Sequence, residues 1–309
     1  MGVNVDTFIG KSDIRTLFLP LFNDLSSFDI VHVMSPPYAA LQMHEHLVVT
    51  VAEPVVTELP FYNNSAKLAA YPALLAESLA FRKKAHFIAI SETTRNKILN
   101  RFAPSEDRIS VIPCGVDCDS FAPGTKENAP PRIVLCSRLD RRKNIGEALR
   151  AFSAIPSQRG SMMVVGDGPE RKELAELAKK TGKGVTFTGE VARDELRAIL
   201  SRSEIFVTSS LSEGFGLSLL EAMSAGCAVI VSNIGAHTEL VRHTENGLVY
   251  NTQEELSQMM GLLLENRELV RRLGGEARET ALQYSWRNIA RRVLSLYETV
   301  TNLRTPTKS

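Results

Sequence analysis

The sequence predicts an α/β protein built from two Rossmann-like, parallel-sheet domains, and three observations carry that expectation. Strand-like runs of apolar, β-branched residues alternate with helical stretches almost throughout, as parallel sheets covered by helices on both faces require. The segment Phe121-Ala-Pro-Gly-Thr-Lys-Glu-Asn-Ala-Pro-Pro131 breaks the alternation with three prolines and no apolar period, and reads as a linker. A chain of 309 residues is also long for a single core.

In the first half, strands are expected at Ile30–Met34, Leu47–Val51, Phe87–Ile90 and Ile109–Ile112. Helices are expected around Ala66–Lys84 and Glu92–Phe102, with Ser91 placed to cap the second. Nearer the start, Asp13-Ile-Arg-Thr-Leu-Phe-Leu-Pro-Leu-Phe22 reads as a core helix in preference to a membrane anchor. In the second half, strands fall at Ile133–Cys136, Met162–Val165, Val185–Thr188, Ile205–Thr208 and Ala228–Val231, each followed by a helical stretch. Such a doubly wound domain binds its ligand beyond the C-terminal ends of the strands. The final helix, Trp286–Val300, carries Ile289, Val293, Leu294 and Tyr297 as a stripe that must be buried. The expected organisation is 1–125, 126–285, and a terminal helix with its tail at 286–309.

Composition narrows the function classes. Apolar residues make up 44% and charged residues 23%, as in ordinary globular proteins. With 36 basic against 35 acidic residues the net charge is +1, which argues against nucleic acid as a partner. No apolar run reaches membrane-spanning length, and the opening residues do not resemble a signal peptide, so a cytoplasmic location is expected. Cys136 and Cys227 read as small buried hydrophobes. Cys114 and Cys118 have no second pair at zinc spacing, and His44-Glu-His46 reads as a solvated loop, so no metal site is expected. Phe81-Arg-Lys-Lys84 ends a helix with cations that complement its dipole; attraction to an anionic membrane surface or polar acceptor is the alternative.

The most informative stretch is Glu213-Gly-Phe-Gly-Leu-Ser-Leu-Leu-Glu221, between the strand Ile205–Thr208 and a helix that runs until Gly226. The helix N-terminus suits a phosphate, and Gly214 and Gly216 allow close approach of a ligand. Two carboxylates beside a phosphate site repel it unless they accept hydrogen bonds from neutral hydroxyls. A nucleotide-sugar offers that combination of diphosphate, ribose diol and sugar hydroxyls. Arg138-Leu-Asp-Arg-Arg-Lys143 follows the first strand of the second domain, where cations reach a ligand's diphosphate. Gly166-Asp-Gly-Pro169 follows another strand, but Arg171 stands where a dinucleotide fingerprint needs its third glycine. It is read as a turn packed near a nucleotide, which disfavours a nicotinamide oxidoreductase.

Taken in order, Arg138-Leu-x3-Lys143, Gly166-Asp-Gly-Pro, Phe187-Thr-Gly189-Glu-Val191, the E-x7-E element, Glu221-Ala-Met-Ser-Ala-Gly, Glu239-Leu-Val and Asn246-Gly-Leu-Val resemble retaining glycosyltransferase family four. Phe28-Asp-Ile-Val-His32, Ile88-Ala-Ile-Ser91 and Val111-Ile-Pro-Cys-Gly-Val-Asp117 extend the resemblance into the first half. It implies the GT-B fold, with two Rossmann-like domains facing across a cleft. It also implies transfer of a hexose from a nucleoside diphosphate sugar, with retention, without a metal or other cofactor. Arg138, Lys143 and Glu213 would carry the reaction: the first two on the diphosphate, Glu213 on sugar hydroxyls. Gly214, Phe215, Gly216 and Leu217 would hold sugar and phosphate, Glu221 would accept from the ribose diol, and Gly189 and Val191 would lie near the base. The last helix would cross back to the first domain.

Two departures stand out. No opening strand and glycine-rich loop is recognisable before Phe28, and Ala52 stands where the related strand ends in His-Asp. The first, acceptor-side domain is therefore expected to be reduced. This motivates an alternative reading as a catalytically impaired or partner-dependent nucleotide-sugar-binding subunit, completed by another chain or by self-association. The acceptor, whether glycan, lipid or small molecule, is not legible, and a peripheral position at the inner membrane surface is compatible with the sequence.

Overall fold

The structure, a computed structural model, describes residues 25–125, 132–155, 160–180 and 184–302. The apolar stretch 13–22 and the linker's second half, 126–131, lie outside the described residues. Within them the chain divides into two compact units. One takes 25–90, Thr94–Ile112 and 292–302; the other takes Ser91–Thr93 and Pro113–Arg291.

The first unit carries a parallel sheet in simple chain order: β1 (Val31–Val33), β2 (Leu47–Val51), β3 (His86–Ala89) and β4 (Ile109–Val111). Short helices α1 (Pro36–Ala39) and α2 (Val55–Glu58) precede α3 (Asn64–Phe81) and α4 (Glu92–Phe102). Helix α3 begins two residues before the expected Ala66, because Asn63 caps it by accepting from the Ala66 N–H at 2.8 Å. The core joins Val49, Val51, Phe87, Ile98 and Ile109 to a stack in which Phe81 lies against both Phe87 and Phe102. His44 and His46 are half-buried, not solvated as expected. Their rings bond to the Phe28 and Asp29 carbonyls at 3.0 and 2.9 Å, tying this loop to the turn before β1.

The second unit holds β5 (Arg132–Cys136), β6 (Ser161–Val165), β7 (Val185–Gly189), β8 (Ile205–Thr208), β9 (Ala228–Ser232) and β10 (Leu248–Tyr250). All pair in parallel, in the order β10-β9-β8-β5-β6-β7. Read from β7, this is the Rossmann order 3-2-1-4-5-6, whose direction reverses between β5 and β8. The intervening helices are α5 (Ile145–Ala154), α6 (Arg171–Lys180), α7 (Arg193–Arg202), α8 (Leu217–Ser224), α9 (Gly235–Thr238), α10 (Gln253–Glu265) and α11 (Arg267–Leu282). Their apolar faces enclose Ile133, Leu135, Leu149, Phe152, Met162, Val164, Ile205, Val207, Ile230 and Leu263, each almost fully buried. Every such side chain withdrawn from water contributes about 1.5–3 kcal/mol before entropy is counted.

Strand β10 was not expected; at three residues it is shorter than the runs by which strands are recognised. The last helix, α12 (Trp286–Asn302), buries Ile289, Leu296 and Val300, while Leu294, placed in the expected stripe, is 44% exposed. Residues 292–302 of α12 belong to the first unit, where the Tyr297 hydroxyl meets His32 Nδ1 at 2.6 Å. His32 Nε2 meets Thr50 Oγ1 at 2.7 Å, and burial lowers this imidazole's pKa to about 4.

Candidate functional site

The chemistry-bearing loops of the second unit sit at the reversal of its sheet. The loop after β5 carries Arg138, Arg142 and Lys143; the loop after the neighbouring β8 carries Ser210 and Glu213. A switch point opens a crevice because the two crossovers leave the sheet in opposite directions.

The glycine turn after β6 supports the first loop. Ser137 N–H donates to the Val165 carbonyl at 3.1 Å, Leu139 N–H to Asp167 at 2.8 Å, and Glu170 N–H back to Leu139 at 3.0 Å. Gly166 has φ +122°, and a Cβ there would lie 2.0 Å from the Ser137 carbonyl oxygen. The glycine is thus required by the Arg138 loop packed on it, a more specific reason than proximity to a nucleotide. Asp140 next shapes a short turn by accepting from Arg142 and Lys143 N–H groups, and Asn144 closes it in the left-handed conformation.

Loop-to-loop hydrogen bonds then join the two halves. Leu211 N–H donates to the Arg142 carbonyl at 2.8 Å, and Ser209 Oγ donates to the carbonyls of Lys143 and Asn144 at 3.1 and 3.0 Å. Across this seam Lys143 Nζ donates to Glu213 Oε1, Ser210 Oγ donates to the same oxygen at 2.8 Å, and Arg142 approaches Oε2 at 3.5 Å. The Lys143 and Glu213 side chains are only 14% and 11% exposed. Burial alone pushes the Glu213 carboxyl upward. The Lys143 charge and hydrogen bond, Ser210 and Arg142 outweigh it and hold the group below its ordinary value. Arg138 stands apart from this cluster, 73% exposed and only 3.7 Å from Asp140 as a loose pair.

The rest of the E-x7-E element turns into α8. Gly214 and Phe215 are buried, with the Phe215 ring against Tyr284 at 5.9 Å between centroids. Ser91, which belongs to this unit, donates from Oγ to the Gly214 carbonyl at 2.5 Å. Gly216 caps α8 at φ +100°, a conformation costly for other residues, and so aims the first-turn N–H groups back at the loop. Leu217 begins the helix and is 42% exposed.

One turn on, Glu221 lies buried, and Arg193 from α7 donates to its Oε1 at 2.7 Å. Burial raises the Glu221 pKa, and Arg193 offsets part of that rise. The Arg193 guanidinium also sits 4.7 Å above the buried Phe121 ring. Gly189 ends β7 with its carbonyl accepting from Gly166 N–H at 2.8 Å, and half-buried Val191 follows before α7.

Arg142, Ser210, Arg193 and His237 were not singled out from the sequence. His237 is buried, donates from Nδ1 to the Ser232 carbonyl at 3.1 Å, and has its pKa pushed down to about 4 by burial, so it is neutral near pH 7. No spacing betrays these partners: Arg193 is 28 positions from Glu221, and Arg142 is 71 from Glu213. Among the described residues no group of three or more His, Cys, Asp or Glu is arranged to hold a metal. Cys118 and Cys227 are buried; Cys136 is only partly so, and burial raises its thiol to about 12.

Comparison with known proteins agrees with this geometry. Residues 119–280 match the model of glycosyl transferases group 1, and residues 13–120 that of glycosyltransferase family 4. The chain belongs to this glycosyltransferase family, and its two parallel-sheet α/β units have GT-B enzymes as structural neighbours. It is 31% identical over 225 residues to the GDP-mannose-dependent alpha-(1-6)-phosphatidylinositol monomannoside mannosyltransferase of Mycobacterium tuberculosis, covering 65% of this chain and 58% of that protein. It is 28% identical over 226 residues to the MMP alpha-(1->4)-mannosyltransferase of Mycolicibacterium hassiacum, covering 70% and 54%. The chain thus spans little more than half the length of these relatives. Sucrose-phosphate synthase from Thermosynechococcus elongatus superposes with a TM-score of 0.77 at 24% identity, covering 89% of this chain and 74% of that one. HepE of Anabaena, solved in complex with UDP, gives 0.73 at 20% identity, covering 88% and 79%. At such identities these likenesses show the fold alone.

Proposed function

We propose that the protein transfers a hexose from a nucleoside diphosphate sugar to an acceptor hydroxyl, with retention of configuration. The observation that carries this reading is the meeting of the Arg138–Lys143 loop with the Glu213–Glu221 element at the reversal of the second sheet. Arg138 and Lys143 bind the diphosphate and stabilise the charge that grows as the C1–oxygen bond breaks, the kind of electrostatic contribution that usually dominates such catalysis. Lys143 is held by Glu213 in the free protein, so donor binding exchanges part of that pairing for phosphate. Glu213 accepts from hydroxyls of the transferred sugar, a role favoured by its ionised state. The backbone of Gly214, Phe215, Gly216 and Leu217 lines the sugar and phosphate at the positive end of α8.

Glu221 accepts from the ribose diol once Arg193 moves aside, and Gly189 and Val191 border the base. The acceptor attacks C1 on the face that the diphosphate leaves, and no side chain is assigned as a nucleophile. Protein cations do the work of charge stabilisation, so activity is expected to persist in a chelator. A thermal-shift screen against UDP-, GDP- and ADP-sugars tests donor binding, because a ligand that binds the folded state raises apparent stability with the logarithm of its concentration. Proton NMR of products formed with the stabilising donor then reads the anomeric configuration. No stabilisation by any of these donors, or inverted products, would overturn the reading.

A further inference from the structure

His237, in the short helix α9, is 1% exposed and has no part in the roles given above. Among the described residues its ring hydrogen bonds run to Nδ1, where the Ser232 carbonyl and the Ser232 hydroxyl each lie 3.1 Å away. A carbonyl only accepts. The hydroxyl gives its hydrogen to the Ser210 carbonyl at 2.7 Å, so toward the ring it too only accepts. Nδ1 therefore carries the proton. Burial keeps the imidazole neutral near pH 7, which leaves Nε2 with a lone pair, as an acceptor.

The Cδ2–Nε2 edge of the ring is the one opposite Nδ1, and it borders the start of α8: a Cβ on Gly216 would lie 3.6 Å from Cδ2. The ring also feels the opposed charges of Glu213 and Lys143. Ser210 accepts from Ser232 through its carbonyl and donates through its hydroxyl to Glu213 at 2.8 Å, so one chain of hydrogen bonds orients both ring and carboxylate. We infer that His237 reads the donor sugar, its Nε2 accepting a hydrogen bond from one sugar hydroxyl while Glu213 accepts from others. The diphosphate does not suit this nitrogen, because ionised phosphate oxygens have no hydrogen to offer a lone pair. The role presupposes the donor assignment made above and adds to it a residue that recognises the sugar without contributing to phosphate binding.

The test sets each nucleotide against its sugar. UDP-glucose, GDP-mannose and ADP-glucose, beside UDP, GDP and ADP, are titrated calorimetrically into the native protein, His237→Asn and His237→Gln. The Asn amide keeps a donor for the Ser232 carbonyl but ends short of Nε2, whereas Gln carries an amide out to that position. His237→Asn should bind the nucleotide-sugar about fivefold more weakly and the free nucleoside diphosphate as the native protein does. His237→Gln should recover part of the loss. A second measurement needs no variant to fold well: nitrogen-15 NMR of histidine-labelled native protein should show an unprotonated Nε2 whose resonance moves with nucleotide-sugar and stays with nucleoside diphosphate. Parallel losses for both ligands in His237→Asn, or a protonated or unresponsive Nε2, would overturn the role of His237 while leaving the donor assignment standing. Native protein that binds none of the six ligands would remove both.

Discussion

Lys143 and Glu213, 70 positions apart in the chain, form a nearly buried ion pair where the loops after β5 and β8 meet. The pair fixes the relative position of the two loops and keeps a cation and an anion ready in a crevice that is otherwise costly for either.

Removing one partner of such a pair leaves the other charge buried. Lys143→Ala should therefore destabilise the protein by about 3 kcal/mol near neutral pH. In the native protein the Glu213 pKa is depressed, so its contribution is present above the unfolded value and is lost as pH falls through the folded one. Without Lys143 the raising effect of burial comes forward, and the variant should lose less stability on acidification. Urea denaturation at about pH 7 and about pH 4 measures both effects. Equal slopes with pH in the two proteins would mean that the pair contributes little.

Glu77 behaves in the opposite sense. Burial raises its carboxyl to about 7 from an ordinary value of 4.5, although the backbone N–H groups of Val55 and Val56 favour the anion. The folded state holds this proton more tightly than the unfolded chain. The resulting stability is fully present below the unfolded value and is lost as pH rises through about 7. Relative to Glu77→Gln, which cannot ionise, the native protein should lose about 3 kcal/mol between about pH 4 and pH 8. Parallel denaturation curves for the two proteins across that range would contradict this.

Glu221→Gln bears on the ribose assignment. An amide offers one acceptor atom where the carboxylate offers two, so affinity should fall about tenfold for nucleoside and nucleoside diphosphate alike. Calorimetric titration with both ligands separates the possibilities. A loss confined to the diphosphate would place Glu221 near phosphate instead.

Much of this could be read from the chain because local chemistry and tertiary structure agree. The strands Leu47–Val51 and Ile205–Thr208 form over the expected residues because β-branched apolar runs suit parallel strands covered on both sides. The loops carrying Arg138, Lys143 and Glu213 were locatable because each follows such a strand. What pairs with what was not. The Arg193 contact with Glu221 and the Tyr297 contact with His32 depend on which helix lies over which strand end, and no periodicity records that. Leu294 was misplaced for a related reason: it lies next to the buried stripe on the helix surface, and only packing showed that Leu296 and Val300 complete it.

The proposed phosphate site is best probed at Arg138, whose exposure lets it be removed without disturbing the buried cluster around Glu213. The decisive measurement is isothermal titration of native protein and Arg138→Ala with the nucleoside diphosphate of the stabilising donor, and with its parent nucleoside. A charge-assisted contact to phosphate is worth about 1.5–3 kcal/mol, so the diphosphate should bind more than about tenfold more weakly to the variant while nucleoside affinity is unchanged. Equal affinities of the two proteins for the diphosphate, or parallel losses for both ligands, would place the phosphates elsewhere.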